Sequence, residues 1–213
     1  MAFSDFKDIA QVQREYGIKY QEENFIPPGR LEPSAVFLEY LDFNQDYIDI
    51  FSSEGARAEA VIFPVLREVY KRHHDQLSLW IQKSITCDEK LSGTPDYIVA
   101  AKSELGKTVL EPPLVMMTEA KKNDFEQGWG QCLAELVAAQ KLNGNANLPV
   151  YGVVTDGKFW EAGKLTNGTF LKNSTQGTVG DLAELLSMLD FVFQAARESA
   201  NAQNGSAYPI RQE

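Results

Sequence analysis

The chain has 213 residues, a formal net charge of −10, 44 % apolar side chains and 11 % aromatic ones. That length and apolar content support one sizeable folded domain and exclude a disordered chain, and no run reaches the roughly 18–20 apolar residues of a membrane span. The acidic balance counts against a free-standing nucleic-acid binder, whose affinity draws on a basic surplus, but leaves room for a local basic groove or a transient enzymatic contact. Met1-Ala2-Phe3-Ser4-Asp5 lacks the basic start and apolar stretch of a signal peptide, so a cytoplasmic location away from membranes is expected. Cys87 and Cys132 stand far apart without zinc-ligand spacing and are expected to be reduced, structural thiols.

Phe6, Ile9 and Val12 fall at helical spacing, as do Val36, Phe37, Tyr40 and Leu41. The turn Ile26-Pro27-Pro28-Gly29 separates them, and Pro33-Ser34 begins the second helix. Residues 1–51 are therefore expected to be an N-terminal helical extension, with Asp46, Tyr47 and Asp49 on a half-exposed surface. Ser53 suits the cap of a helix from Glu54 to His73, whose apolar stripe is Val61, Ile62, Val65, Leu66 and Val69. Pro64 predicts a kink in it, or a later start. His73-His74-Asp75 invites a metal reading, but adjacent histidines on a regular helix cannot both face one ion, so an exposed helix end is expected.

Leu77–Ile85 alternates as a strand, and a polar turn leads into a second strand over Thr94–Ala100, as in an antiparallel hairpin. Residues 102–113, with Gly106 and two prolines, form a loop or a short strand before Leu114–Lys121, an apolar strand ending in a carboxylate and an amine. Strand alternation puts Val115, Met117, Glu119 and Lys121 on one face. Phe125–Leu142 is a strong helix stopped by Asn143-Gly144-Asn145. Val150–Thr155 is a buried strand, Asp156-Gly157 and Asn167-Gly168 are hairpin turns, and Val179–Ser199 is a terminal helix before a mobile tail, 201–213.

Two charges at the end of a buried strand are expensive unless a metal or an anionic substrate meets them. Asp96, Glu119 and Lys121 supply what metal-assisted phosphodiester hydrolysis needs. Two hard carboxylates hold Mg²⁺, with the Ala120 carbonyl as a further ligand, and a lysine stabilises developing charge or positions the attacking water. Glu-x-Lys alone arises about once by chance in a chain this long. Its placement sets it apart from a solvated strand end: it follows a Pro-Asp strand and precedes a helix bearing glutamines.

Pro95-Asp96, Glu119-Ala120-Lys121 and the helix carrying Gln131 resemble the PD-(D/E)XK nuclease superfamily over most of residues 52–172. Tyr151–Gly157 followed by Trp160 is similar to a strand-turn-strand in the nuclease part of type I restriction subunits. The resemblance implies a restriction-endonuclease-like α/β/α core over 52–200: a central mixed sheet flanked by helices. It implies Mg²⁺ (Mn²⁺ substituting) at Asp96 and Glu119, Lys121 as the catalytic lysine, and DNA as the expected nucleic-acid substrate. Gln131 would be the helix glutamine near the site, with Gln127 one turn earlier as its rival. Glu54 and Glu59 compete for the first-helix glutamate, since about 140° separates them on a helix. The rival to a metal-dependent nuclease is a non-catalytic binding or assembly module on the same fold. No helicase motor, Walker loop or helix-turn-helix is present, so sequence targeting would fall to a protein partner.

Overall fold

The computed structural model describes residues 2–121 and 124–207. A 3₁₀ turn Phe3–Asp5 and helix α1 Ile9–Tyr16 precede strand β1 Lys19–Glu23 and helix α2 Ala35–Tyr47. Then come the short helix α3 Glu54–Arg57, a π-helical turn Ala58–Ile62, and α4 Phe63–Tyr70. Strand β2 Leu77–Ile81, a small hairpin of β3 Ile85–Thr86 and β4 Ser92–Gly93, β5 Tyr97–Ala101 and β6 Glu111–Ala120 follow. After α5 Phe125–Asn143 the chain adds β7 Val150–Thr155, β8 Phe159–Thr166, β9 Thr169–Asn173, β10 Gly177–Thr178 and α6 Leu182–Ala207.

One mixed sheet of eight strands runs β1-β9-β8-β7-β6-β5-β2, with β10 beside β8. The β6–β7 pair is parallel, and its crossover is helix α5, the connection a parallel pair requires. The protein is thus α/β, with a central mixed sheet flanked by helices. On one face Leu114, Met117, Val150 and Val154 pack with Cys132, Leu133 and Leu136 of α5 and Val12 of α1. On the other, Val115, Met116, Tyr151 and Val153 pack with α4 and α6. No helix among the described residues is long and apolar enough to cross a membrane.

Helical spacing in residues 1–51 does not extend to Lys19–Glu23, which is an exposed edge strand parallel to β9. The N-terminal region thus carries the expected helices, α1 and α2, and in addition gives the sheet an edge strand. KYQEE shows no apolar alternation because neither face of this edge strand is buried, so periodicity could not reveal it. At the other end, α6 runs to Ala207, past the expected start of a mobile tail at residue 201; residues 208–213 lie outside the described part.

Pro64 acts near the start of α4 instead of kinking one long helix. Lacking an N–H, it cannot serve the Ala60 carbonyl four residues back. The buried Asn44 side chain of α2 donates to that oxygen at 2.9 Å. His73 is also not the exposed helix end expected. It is buried, its Nε2 lies 2.9 Å from Asp190 Oδ1, and its ring stacks on Phe193 of α6; His74 is exposed. The two histidines thus diverge from a turn that follows α4, and one points inward.

The strand that carries the candidate site is irregular. Val99 pairs with Met116 but Ala100 with Leu114, leaving Val115 as an extra residue in β6. The bulge puts Val115 with Met116 in the α4–α6 core, and only Met117, Glu119 and Lys121 turn toward α5. A second irregularity lies at Pro112-Pro113, which have no N–H to give a ladder.

Helix α5 is held against α1 by a close backbone approach at Gly130. A Cβ there would fall 2.6 Å from the Asp8 nitrogen and 3.0 Å from its Cα. Asp8 caps α1, its side chain accepting from the Gln11 N–H, so the backbone it would displace is fixed. Gly130→Ala should therefore destabilise the fold by roughly 2–4 kcal/mol, despite alanine's better helix propensity. Urea unfolding of the variant beside the parent reads this directly; an unchanged midpoint would mean the two helices separate at little cost.

Candidate active site

The C-terminal ends of the parallel strands β6 and β7 lie side by side, with Glu119 opposite Val154 and Ala120 opposite Thr155. The Lys121 N–H continues this ladder to the Thr155 carbonyl at 2.8 Å. Asp96 enters from the residue before β5, and its Oδ2 accepts the Ala120 N–H at 2.8 Å. Ala120 thereby ties the Asp96 carboxylate to the end of the neighbouring strand. Burial and hydrogen bonding at these strand ends leave little freedom for the carboxylates.

Glu119 is 1 % exposed and Glu135, on α5, is fully buried. Gln131 Nε2 donates to Glu119 Oε1 and lies 3.4 Å from Glu135 Oε1, so one amide bridges two carboxyl groups. Oε2 of each glutamate is buried with no hydrogen-bond partner among the described residues. Lys121 Nζ stands 3.7 Å from Glu119 Oε2. Its stem lies against α5 at Gly128, where a Cβ would come within 3.1 Å of Lys121 Cγ and 2.7 Å of Val154 Cγ1. A side chain at residue 128 would push the lysine stem away, so Gly128 is part of what positions the amine.

The structure thus brings Asp96, Glu119, Lys121 and Gln131 together. Gln127, one turn earlier, forms no side-chain hydrogen bond with Glu119 among the described residues; its N–H is taken by the helix cap Asp124 at 2.9 Å. Glu59, in the π-helical turn, lies near enough that its charge and that of Asp96 add to the rise that burial imposes on the Tyr97 phenol. Glu54 is exposed at the start of α3 and forms no hydrogen bond or ion pair with the cluster among the described residues. Sequence reasoning missed Glu135. The signal was an acid inside the apolar run Cys132-Leu133-Ala134-Glu135-Leu136-Val137, one helical turn beyond Gln131.

Burial is the main force on both glutamates. It pushes Glu119 well above the ordinary carboxylate range, Glu135 and Asp96 push further, and Lys121 opposes them. Burial likewise raises Glu135 to about 8, with Asp96 adding to the rise and Gln131, Glu119 and Lys121 holding it back. Three crowded carboxyls with one lysine keep a proton within the cluster at neutral pH. Cys132 lies in the same core, and burial followed by the charges of Glu135 and Glu119 pushes its thiol well up; it is a packing residue.

Among the described residues no group of three or more His, Cys, Asp and Glu side chains is arranged to enclose an ion alone. Mg²⁺ does not require such a cage, since it is commonly held by one or two carboxylates with water and substrate oxygens completing its shell. Asp96 and Glu119 fit that role: both are hard oxygen donors, and the buried Glu119 Oε2 accepts no hydrogen bond among the described residues. No family model matches the chain, and no curated protein does.

Proposed function

We propose that this protein is a metal-dependent nuclease that hydrolyses phosphodiester bonds, with DNA as the expected substrate. The observation that carries the reading is Lys121 Nζ poised 3.7 Å from the buried Glu119 Oε2, which accepts no hydrogen bond among the described residues, on a strand end that also fixes Asp96. The resemblance of Pro95-Asp96 and Glu119-Ala120-Lys121 to the PD-(D/E)XK superfamily points the same way. A divalent ion held by Asp96 and Glu119 supplies Lewis-acid stabilisation of phosphoryl oxygens and lowers the pKa of a water. Asp96 and Glu119 bind that ion. Gln131 orients Glu119, and Glu135 anchors Gln131 from inside the helix layer. Lys121 presents its ammonium where negative charge grows on the reacting phosphoryl group. Its backbone is fixed to Thr155 and its stem rests against Gly128, so little reorganisation accompanies the reaction.

The direct test incubates purified protein with plasmid, linear DNA and RNA in Mg²⁺ or Mn²⁺, with EDTA as control. Metal-dependent scission that EDTA abolishes is the expected result. If Mn²⁺ binds yet none of these substrates is cut, the protein is a non-catalytic binding module on the same fold.

A further inference from the structure

Helix α2 carries an apolar surface that the fold does not use. At about 100° per residue, Phe37, Leu41 and Asn44 form its buried row. Val36, Tyr40, Phe43 and Tyr47 form a second row beside it, and Val36 and Tyr47 are 74 % and 76 % exposed. With Ile48 at the helix end, they are five of the ten large apolar side chains exposed among the described residues. The Phe43 and Tyr47 rings stand 5.1 Å apart, and the Arg67 guanidinium of α4 lies over the Tyr40 ring at 5.8 Å. Concentrating that much apolar surface on one helix marks an interaction site rather than ordinary surface scatter.

What the strip fits follows from its flank. Glu39, Asp42 and Asp46 form a third, exposed row on the side of the strip away from the core, and Asp49 extends it. Between Arg30 and Arg57 the chain contains no Lys, Arg or His, and none of these four carboxylates forms an ion pair among the described residues. A second copy docking two-fold on this face would set acid against acid in a chain of net charge −10. Nucleic acid and anionic membrane surfaces meet the same repulsion. We infer that α2 is the docking surface for a basic amphipathic helix of another protein, whose apolar row covers Tyr40, Phe43 and Tyr47 while its lysines or arginines face Glu39, Asp42 and Asp46. This inference is independent of the nuclease reading, since no residue of the cluster around Glu119 takes part.

The probe is a synthetic Leu/Lys amphipathic helical peptide, with its Leu/Glu counterpart as control, titrated against the full chain by fluorescence anisotropy. The Leu/Lys peptide should bind, more weakly as salt rises, and the Leu/Glu peptide should not. The triple variant Tyr40→Ser, Phe43→Ser, Tyr47→Ser should lose at least about tenfold in affinity, because exposed aromatic anchors dominate such contacts. Asp42→Asn with Asp46→Asn keeps the aromatic strip and should flatten the salt dependence. Thermal melts within a few degrees of the parent verify that both variants fold. Absence of binding, or Leu/Lys binding that survives the triple substitution, would overturn the inference. So would a concentration-dependent dimer, or co-sedimentation with anionic vesicles, that the same substitution abolishes.

Discussion

Lys121→Met is expected to lower the cleavage rate by roughly a thousandfold while leaving Mn²⁺ affinity within a few-fold of the parent. Phosphodiester hydrolysis demands on the order of 20 kcal/mol of barrier lowering, which no single contact supplies. The lysine's share is the charge it places near the reacting phosphoryl group, so removing it strikes the transition state rather than the bound state. Methionine keeps a stem of similar length against Gly128 and Val154, so the packing between β6 and α5 survives. Asp96→Asn and Glu119→Gln should lose both cleavage and metal binding, because each replaces an anionic oxygen donor. Single-turnover cleavage measured beside Mn²⁺ titration separates the two effects. A Lys121→Met protein that cleaves like its parent would remove the lysine from the chemistry.

The metal-free protein should lose thermal stability as pH rises from about 5 to 8, and Glu135→Gln should reduce that dependence to the part that the buried Glu119 contributes. Burial raises Glu135 to about 8 in the fold, against an ordinary value of 4.5. Below the ordinary value both folded and unfolded chains hold the proton, and the neutral carboxyl's contribution to stability is fully present. Between the two values the unfolded chain releases the proton while the fold retains it, so stability falls by about 1.4 kcal/mol per pH unit. Across the window the loss is a few kcal/mol, or roughly 10 °C in melting temperature for a chain of this size. Glutamine is neutral at every pH and keeps a carbonyl oxygen for Gln131, so the cluster retains its bridge. Melts in EDTA at several pH values compare the two proteins; parallel profiles would show that Glu135 keeps no proton in the fold. Mg²⁺ should raise the parent's melting temperature by mass action, most at the alkaline end, where the carboxylates are ionised.

Where the sequence was informative, local chemistry and tertiary context agree. The apolar run before Glu119, the helix stopped at Gly144 in the left-handed region (φ 66°), and the Asn167-Gly168 turn each rest on neighbours a few residues away. Asp96, Glu119 and Lys121 were legible as neighbours because antiparallel pairing of successive strands sets the start of β5 beside the end of β6. Lys19–Glu23 was not legible, since an edge strand exposed on both faces carries no periodic signal. His73 was misread because its partner, Asp190, lies on the terminal helix, far along the chain. Glu135 escaped because α5 is buried nearly all round, so its hydrophobic pattern points in no single direction. Val115 was assigned to the wrong face because a bulge shifts alternation without leaving a glycine or proline at that position.

That extra residue gives β6 a counting rule. Leu114 belongs to the α5 core upstream of the bulge, and Met117, Glu119 and Lys121 face the same helix downstream of it. Because Val115 has no β5 residue of its own, removing it leaves Leu114 and Met117 two residues apart on one face, and the regular strand that results keeps Glu119 and Lys121 toward α5. One residue inserted between Met117 and Glu119 has no such outlet: either the upstream half of the strand turns over, or Glu119 swings into the apolar layer beneath α4 and α6 while Ala120 faces Gln131. The strand should thus tolerate the loss of one residue at the bulge but not the gain of one below it, so the site is protected by arithmetic as well as by contacts.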